Sequence, residues 1–228
     1  MRSVKGGHGL NVVGSVVAAA ERGAVIDNGL IDFRPVDLRG SLRRGTESNL
    51  IVFLVDASGS MAARDRLSAV TGAVLAMLQD AYQRRDKVAV ISVRGQEPEL
   101  LLPPTGSIDV AVRRLRDTQT GGRTPLGEGL HMADELIQRE FHRHPQRRAI
   151  LVVLSDGRAT GSSGLAGAQQ AAVAIQRRGL AGSVVVDCER QGRIRLGLAQ
   201  ELARNLGGMC VQIDDLHAES LRSTIEAL

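Results

Sequence analysis

The stretch that decides the fold is Ile51-Val52-Phe53-Leu54-Val55-Asp56-Ala57-Ser58-Gly59-Ser60-Met61, where five apolar residues empty into three oxygen-bearing side chains at alternate positions. A mostly β-branched and aromatic run of this kind suits a strand buried on both faces, hence a parallel sheet covered by helices. Asp56 then stands at the carboxyl edge, where open α/β sheets bind ligands, and Gly59 lets the loop turn tightly between the serines. Hard oxygen donors with no His or Cys beside them point to Mg²⁺, with Mn²⁺ as a substitute, rather than to zinc or copper. A second reading fits this stretch equally well: Asp and Ser ahead of a helix commonly cap its free amides.

Two downstream segments favour the metal reading. Ile150-Leu151-Val152-Val153-Leu154-Ser155-Asp156-Gly157 is a second apolar run ending in a carboxylate, and Gly121-Gly122-Arg123-Thr124-Pro125-Leu126 is a glycine-rich loop presenting a hydroxyl before a helix. If the two strands are neighbours, their ends lie about 5 Å apart. Asp56 and Asp156 would then face one point.

The pattern DxSxS, then a Thr-Pro loop, then an Asp-Gly strand end resembles the metal-ion-dependent adhesion site of von Willebrand factor A (VWA) domains. The resemblance narrows on VDASGSM (55 to 61), GAVLAMLQDAYQRRDKVAVISVRG (72 to 95), ELLLPPT (99 to 105), TGGRTPLGEGL (120 to 130), LSDGRAT (154 to 160) and RLGLAQELARNLGG (195 to 208). These segments are similar to the integrin I-like domain of the D subunit of magnesium chelatase and its cobalt-chelatase relatives, from about residue 30 to the end. The likeness implies that Ser58, Ser60 and Thr124 touch the ion by hydroxyl oxygens and that Asp56 and Asp156 hold it directly or through water. It implies as partners an AAA+ ATPase (I-type) subunit and a large tetrapyrrole-binding (H-type) subunit, with an acidic partner side chain at the metal. The AAA+-like half and the acidic, proline-rich linker usual for a D subunit do not lie within these 228 residues. Arg123 stands where the family usually has glycine, which either weakens the cation or favours an acidic ligand. An alternative role is a VWA partner of a MoxR-type AAA+ ATPase in metallo-enzyme maturation.

The expected fold is α/β: a doubly wound, mostly parallel Rossmann-like sheet of about six strands flanked by helices, with one short antiparallel edge strand. Residues 1–48 read as an N-terminal arm and linker continuing from an upstream region, and 49–228 as the VWA domain. Leu67, Val70, Val74, Leu75, Met77 and Leu78 recur at helical spacing; Met61 and Met77 read as core filler. Pro103-Pro104 suits an edge strand at Glu99–Leu102, Pro125 a first helical position, and Gly157 to Gly164 a flexible mouth loop. Further helices are expected over Ile108–Leu115, Pro125–Phe141, Leu165–Arg178, Leu196–Leu206 and Leu216–Leu228, with strands at Val88–Val93, Ser183–Asp187 and Met209–Ile213.

Composition excludes several classes. There is no GxxxxGK[ST] phosphate loop, no GxSxG elbow, and no zinc or HExxH spacing among His131, His142 and His144. No catalytic residue is expected, and turnover by this chain alone is not. The net charge of +4 invites nucleic acid, but three Phe and one Tyr offer little for stacking on bases. No apolar run approaches the roughly 20 residues needed to span a bilayer, so no membrane partner is expected and the cytoplasm is the default. Cys188 and Cys210 are expected at opposite ends of neighbouring strands on the order of 15 Å long, beyond disulfide reach.

Overall fold

Side chains alternate between the two faces of the founding strand so that each face feeds a different core. A computed structural model describes residues 2–4, 10–24, 26–27, 30–42, 48–58, 68, 71–72, 75, 86–115, 120–189 and 196–212. In it β1 (Asn49–Asp56) has every residue after Asn49 buried. Leu50, Val52 and Leu54 enter one cluster with Leu126, Leu130 and Ala171. Ile51, Phe53 and Val55 enter the opposite one with Ala111 and Leu115, against which Leu75 packs. A strand covered on both sides cannot afford a polar alternate residue, which is why its sequence is a continuous apolar run.

The other described strands of its sheet are β2 (Lys87–Arg94), β3 (Glu97–Thr105), β4 (Arg148–Ser155), β5 (Ala181–Asp187) and β6 (Met209–Gln212). They form one sheet in the order β6-β5-β4-β1-β2-β3, parallel throughout except for the β2–β3 hairpin. The chain therefore builds outward from β1 to one side and then returns to build outward to the other. The crevice beyond β1 and β4 is the topological switch point, where such sheets place ligands. The expected doubly wound sheet of six strands with one antiparallel edge is what the structure has, although β3 runs nine residues, longer than expected.

The helices whose bounds lie within the described residues of this part of the chain are α1 (Ile108–Leu115), α2 (Leu126–Arg143), α3 (Gly164–Arg178) and α4 (Leu198–Asn205). In α2, Leu126, Leu130, Ala133, Leu136 and Ile137 form the buried stripe, the spacing of one helical face. Pro125 is the residue before α2, at its cap, not its first helical residue. Gly179 ends α3 in the left-handed conformation (φ 62°), as its sequence position suggests. The expected helix from Leu67 through residue 82 lies mostly outside the described residues, which include 68, 71, 72 and 75, all helical, and the closing helix 216–228 lies wholly outside them. Neither cysteine is in a disulfide among the described residues. Cys210 pairs in register with Val185 rather than with the start of β5, so it sits only about 10 Å along the strand from Cys188, still too far for a disulfide. Burial pushes the Cys210 thiol up, and the Asp187 carboxylate adds to the effect.

The chain divides into two compact units, residues 1–46 and 47–228. In the first, the helix Val12–Glu21 is capped by Asn11, whose Oδ1 accepts the Gly14 amide at 2.8 Å. Gly40–Leu42, read above as linker, pairs antiparallel with Arg2–Val4. The buried Asp37 carboxylate accepts from Arg22 Nε at 2.9 Å, Arg22 Nη2 at 2.8 Å and the Arg34 amide at 2.9 Å. Hydrogen bonds from Arg22 hold the Asp37 carboxyl below its ordinary value of 3.8, against the opposing effect of burial.

Two outcomes follow from this packing. A side chain at Gly129 would run into Val93 and Leu54, so Gly129→Val is expected to cost about 2–3 kcal/mol in urea unfolding by overpacking. A carboxyl depressed in the folded state stabilises fully above its unfolded pKa, and the gain is lost as pH falls through the folded value. Residues 1–46 should thus loosen on acidification below about pH 4, and Asp37→Asn should remove that acid sensitivity in hydrogen exchange followed by NMR.

Candidate metal centre

Asp56 is the last residue of β1 and lies opposite Val93 of β2. The chain beyond it stays tethered on both sides: the Ala57 amide donates to Val93 O at 3.2 Å, and the Ala57 carbonyl accepts from the Gly121 amide at 2.8 Å. The Asp56 carboxylate is buried. Its Oδ1 accepts from the Ser58 amide at 2.9 Å and from Ser58 Oγ at 2.6 Å. Its Oδ2 accepts from Ser155 Oγ at 3.3 Å, and Ser155 Oγ itself accepts the Gly157 amide at 3.1 Å.

Thr124 reaches this cluster from 66 residues away. Its Oγ1 donates to Ser58 Oγ at 2.7 Å, completing a relay from Thr124 through Ser58 to Asp56. Capping accounts for the short-range bonds between Asp56 and Ser58, which form a local turn. It has no need of a distant, buried threonine hydroxyl, so convergence of two loops and the end of β4 favours an oxygen site. Ser60 lies outside the described residues.

Asp156 follows directly on β4, whose Leu154 is level with Val55. The two carboxylates thus stand at the ends of adjoining strands, as expected. Asp156 engages its own loop: Oδ1 accepts the Arg158 amide at 3.0 Å, and Oδ2 lies 3.5 Å from Arg158 Nε. Among the described residues, strand position rather than a hydrogen bond associates it with Asp56, Ser58 and Thr124.

The loop Gly157 to Gly164, expected to be flexible, is in large part fastened. Thr160 Oγ1 accepts the Thr124 amide at 2.8 Å, and the Thr124 carbonyl accepts the amides of Thr160 and Gly161, both at 3.0 Å. One turn into α2, Glu128 Oε1 accepts Ser162 Oγ at 2.7 Å and the Ser163 amide at 3.0 Å. Gly161 must be glycine: an added Cβ would stand 2.6 Å from Pro125 Cα and 2.9 Å from Glu128 Oε2. Thr160, Glu128 and Ser155 were not singled out by sequence reasoning, because each acts through a partner 34 to 99 residues away. Only the hydroxyl beside Asp156 offered a signal.

The residues present fit a hard divalent cation. The Asp56 Oδ1 to Ser58 Oγ and Ser58 Oγ to Thr124 Oγ1 separations of 2.6 and 2.7 Å approach the distance of about 2.9 Å between adjacent oxygens of an octahedral Mg²⁺ shell with 2.0–2.1 Å bonds. Hydroxyl rotors can turn their lone pairs inward without moving the oxygens. Among the described residues no group of three His, Cys, Asp or Glu side chains forms an alternative metal cluster, and His131, His142 and His144 are exposed on or just after α2. Arg123, beside Thr124, is also exposed.

Thr160→Val would leave the buried Thr124 amide without its acceptor and should cost about 1–3 kcal/mol in urea unfolding. Thr160→Ser should restore most of the loss, since it keeps the oxygen.

The von Willebrand factor type A domain family matches residues 51–158. The chain is 52% identical over 215 residues to the uncharacterized protein Rv2850c of Mycobacterium tuberculosis, covering 94% of this chain and 34% of that protein. It is 34% identical over 213 residues to the magnesium-chelatase 67 kDa subunit of Chlorobaculum parvum, covering 86% of this chain and 33% of the subunit. It thus spans about a third of the length of either relative. Among solved structures, the SpRpn10 VWA domain superposes with a TM-score of 0.56 at 14% identity, over 73% of this chain and 88% of that one. With the sheet order in place, residues 51–158 form a von Willebrand factor type A domain, and the chain is homologous to the VWA portion of the magnesium-chelatase D subunits.

Proposed function

We propose that this chain is a metal-ion-dependent protein-docking module, with Asp56, Ser58, Ser60, Thr124 and Asp156 holding Mg²⁺, or Mn²⁺ in its place. The observation that carries this reading is the relay from Thr124 Oγ1 to Ser58 Oγ to Asp56 Oδ1, which brings side-chain oxygens from segments 66 residues apart within hydrogen-bonding distance of one another. A bound hard cation supplies charge and an open coordination position for a carboxylate of another protein. The chain's own residues do the rest. Ser155 fixes one oxygen of Asp56 so that the other faces the loop, and Thr160 and Glu128 fix the backbone that presents Thr124.

The named relatives extend the reading. Homology to magnesium-chelatase subunits supports a role as the non-catalytic docking part of an ATP-dependent magnesium or cobalt chelatase. Its partners there are an AAA+ ATPase (I-type) subunit and a large tetrapyrrole-binding (H-type) subunit. Two cysteines outside any disulfide support a reducing, cytoplasmic setting, and among the described residues no helix is long and apolar enough to cross a membrane.

The experiment is a Mn²⁺ and Mg²⁺ titration by calorimetry, beside pull-down of chelatase subunits. Asp56→Ala and Thr124→Ala are expected to weaken ion binding at least about tenfold, the scale of one lost ligand interaction of 1.4 kcal/mol or more, and to abolish capture of the partner. Saturating ion should stabilise the unmodified chain by about 2.7 kcal/mol at a hundredfold excess over Kd. Unchanged ion or partner binding in folded variants would refute the proposal.

A further inference from the structure

Arg158 is the residue at the centre that neither the fold nor the ion set requires. It lies two positions after Asp156 and faces it with Nε at 3.5 Å from Oδ2, its side chain 59% exposed. An ion pair this long and this wet contributes at most about 1 kcal/mol, so it breaks readily. A guanidinium has five donors in a planar fork, and here only Nε meets a carboxylate among the described residues. The fork is left over, turned to solvent, at the edge of the oxygen cluster.

The backbone beside Arg158 is fixed rather than free. Its own amide is bonded to Asp156 Oδ1, and the chain is fastened again two residues later where Thr160 grips Thr124. Arg123, next to Thr124 in the chain, is also exposed. An exposed arginine thus lies within two residues of each of Thr124 and Asp156. Asp56, Asp156 and a divalent ion sum to zero, and the other carboxylates at this edge are engaged, Glu128 by Ser162 and Ser163 and Asp187 by the Glu189 amide. A single carboxylate arriving at the ion would leave the fork of Arg158 unused.

Resting on the metal-ion reading above, we infer that Arg158 is a specificity residue for a partner that presents two neighbouring carboxylates. One completes the shell of the ion. The other takes the fork of Arg158 side-on in the bidentate manner that suits guanidinium to carboxylate, and Arg158 leaves Asp156 as it does so. The same guanidinium thus covers Asp156 before the partner arrives and reads the partner afterwards.

The test uses the full chain, Mn²⁺, and two synthetic peptides that differ only in a central Glu-Glu or Glu-Gln pair. Calorimetry of Arg158→Gln should give a Mn²⁺ affinity equal to or above that of the unmodified chain, because a competing cation has been removed from Asp156. With Mn²⁺ present, the same variant should bind the Glu-Glu peptide about tenfold more weakly and the Glu-Gln peptide within about twofold. Arg158→Lys keeps the charge without the fork and should fall between; should Arg158→Gln fail to fold, it carries the comparison.

Weaker Mn²⁺ binding by a folded Arg158→Gln overturns the inference, since Arg158 would then be supporting the ion site itself. Equal losses for both peptides, no loss for either, or no peptide binding by the Mn²⁺-saturated unmodified chain also overturn it, and all three leave the metal site standing. Absence of Mn²⁺ binding by the unmodified chain defeats the metal reading and this inference together.

Discussion

Parallel pairing of β1 with β4 is the constraint on which the rest depends. Seven consecutive residue pairs, from Asn49 with Arg148 to Val55 with Leu154, bring the carboxyl ends of two strands level although nearly a hundred residues separate them. A slip of one residue would turn every side chain of a strand to the wrong face, and both faces here are buried. The hydrophobic layers therefore hold the register, and the register delivers Asp56, Ser155 and Asp156 to one edge. Ser155 and Asp56 bury polar oxygens at that edge. Each is tolerable there because it is bonded to the other and to loop amides.

The centre is built in two halves. Thr124 and the segment Thr160 to Ser163 form one clasp, held by three backbone-centred bonds and by Glu128 from within α2. Ser58 belongs to the other half, whose continuation at Gly59 and Ser60 lies outside the described residues. Ser58 and Thr124 meet through a single pair of hydroxyls, while backbone contacts of Ala57 keep the two loops adjacent. Hydroxyls suit such a junction because they can donate to a carboxylate or offer lone pairs without a change of position.

Much of this was legible in the residues, for reasons that can be given one at a time. The apolar runs at 51–55 and 150–154 announce strands buried on both faces because no polar residue interrupts them. Gly179 announces a helix end because its conformation is one that other residues avoid. Asp56, Ser58 and Asp156 could be picked out because oxygen side chains directly after such runs must stand at the sheet edge, and Thr124 because a glycine-rich loop presents its hydroxyl just before a helix. Pro125 was misplaced by one position, since proline serves both before and within a first turn and only the cap geometry distinguishes the two. The loop after Asp156 looked slack because its glycines and serines are the residues of mobile turns. Its bonds go to Thr124 and Glu128, and local composition carries no trace of partners that distant.

The outer strand β3 contains Pro98, Pro103 and Pro104. Successive residues of a strand direct their amides to opposite sides, so the adjacent pair Pro103-Pro104 removes one donor from each side. Toward β2 this coincides with the irregular register between Val88 and Val90. Toward solvent it leaves a gap where a foreign strand would need a continuous ladder. Growth of the sheet by addition of another chain along that margin, the usual route to aggregation for an open β-structure, is thereby discouraged.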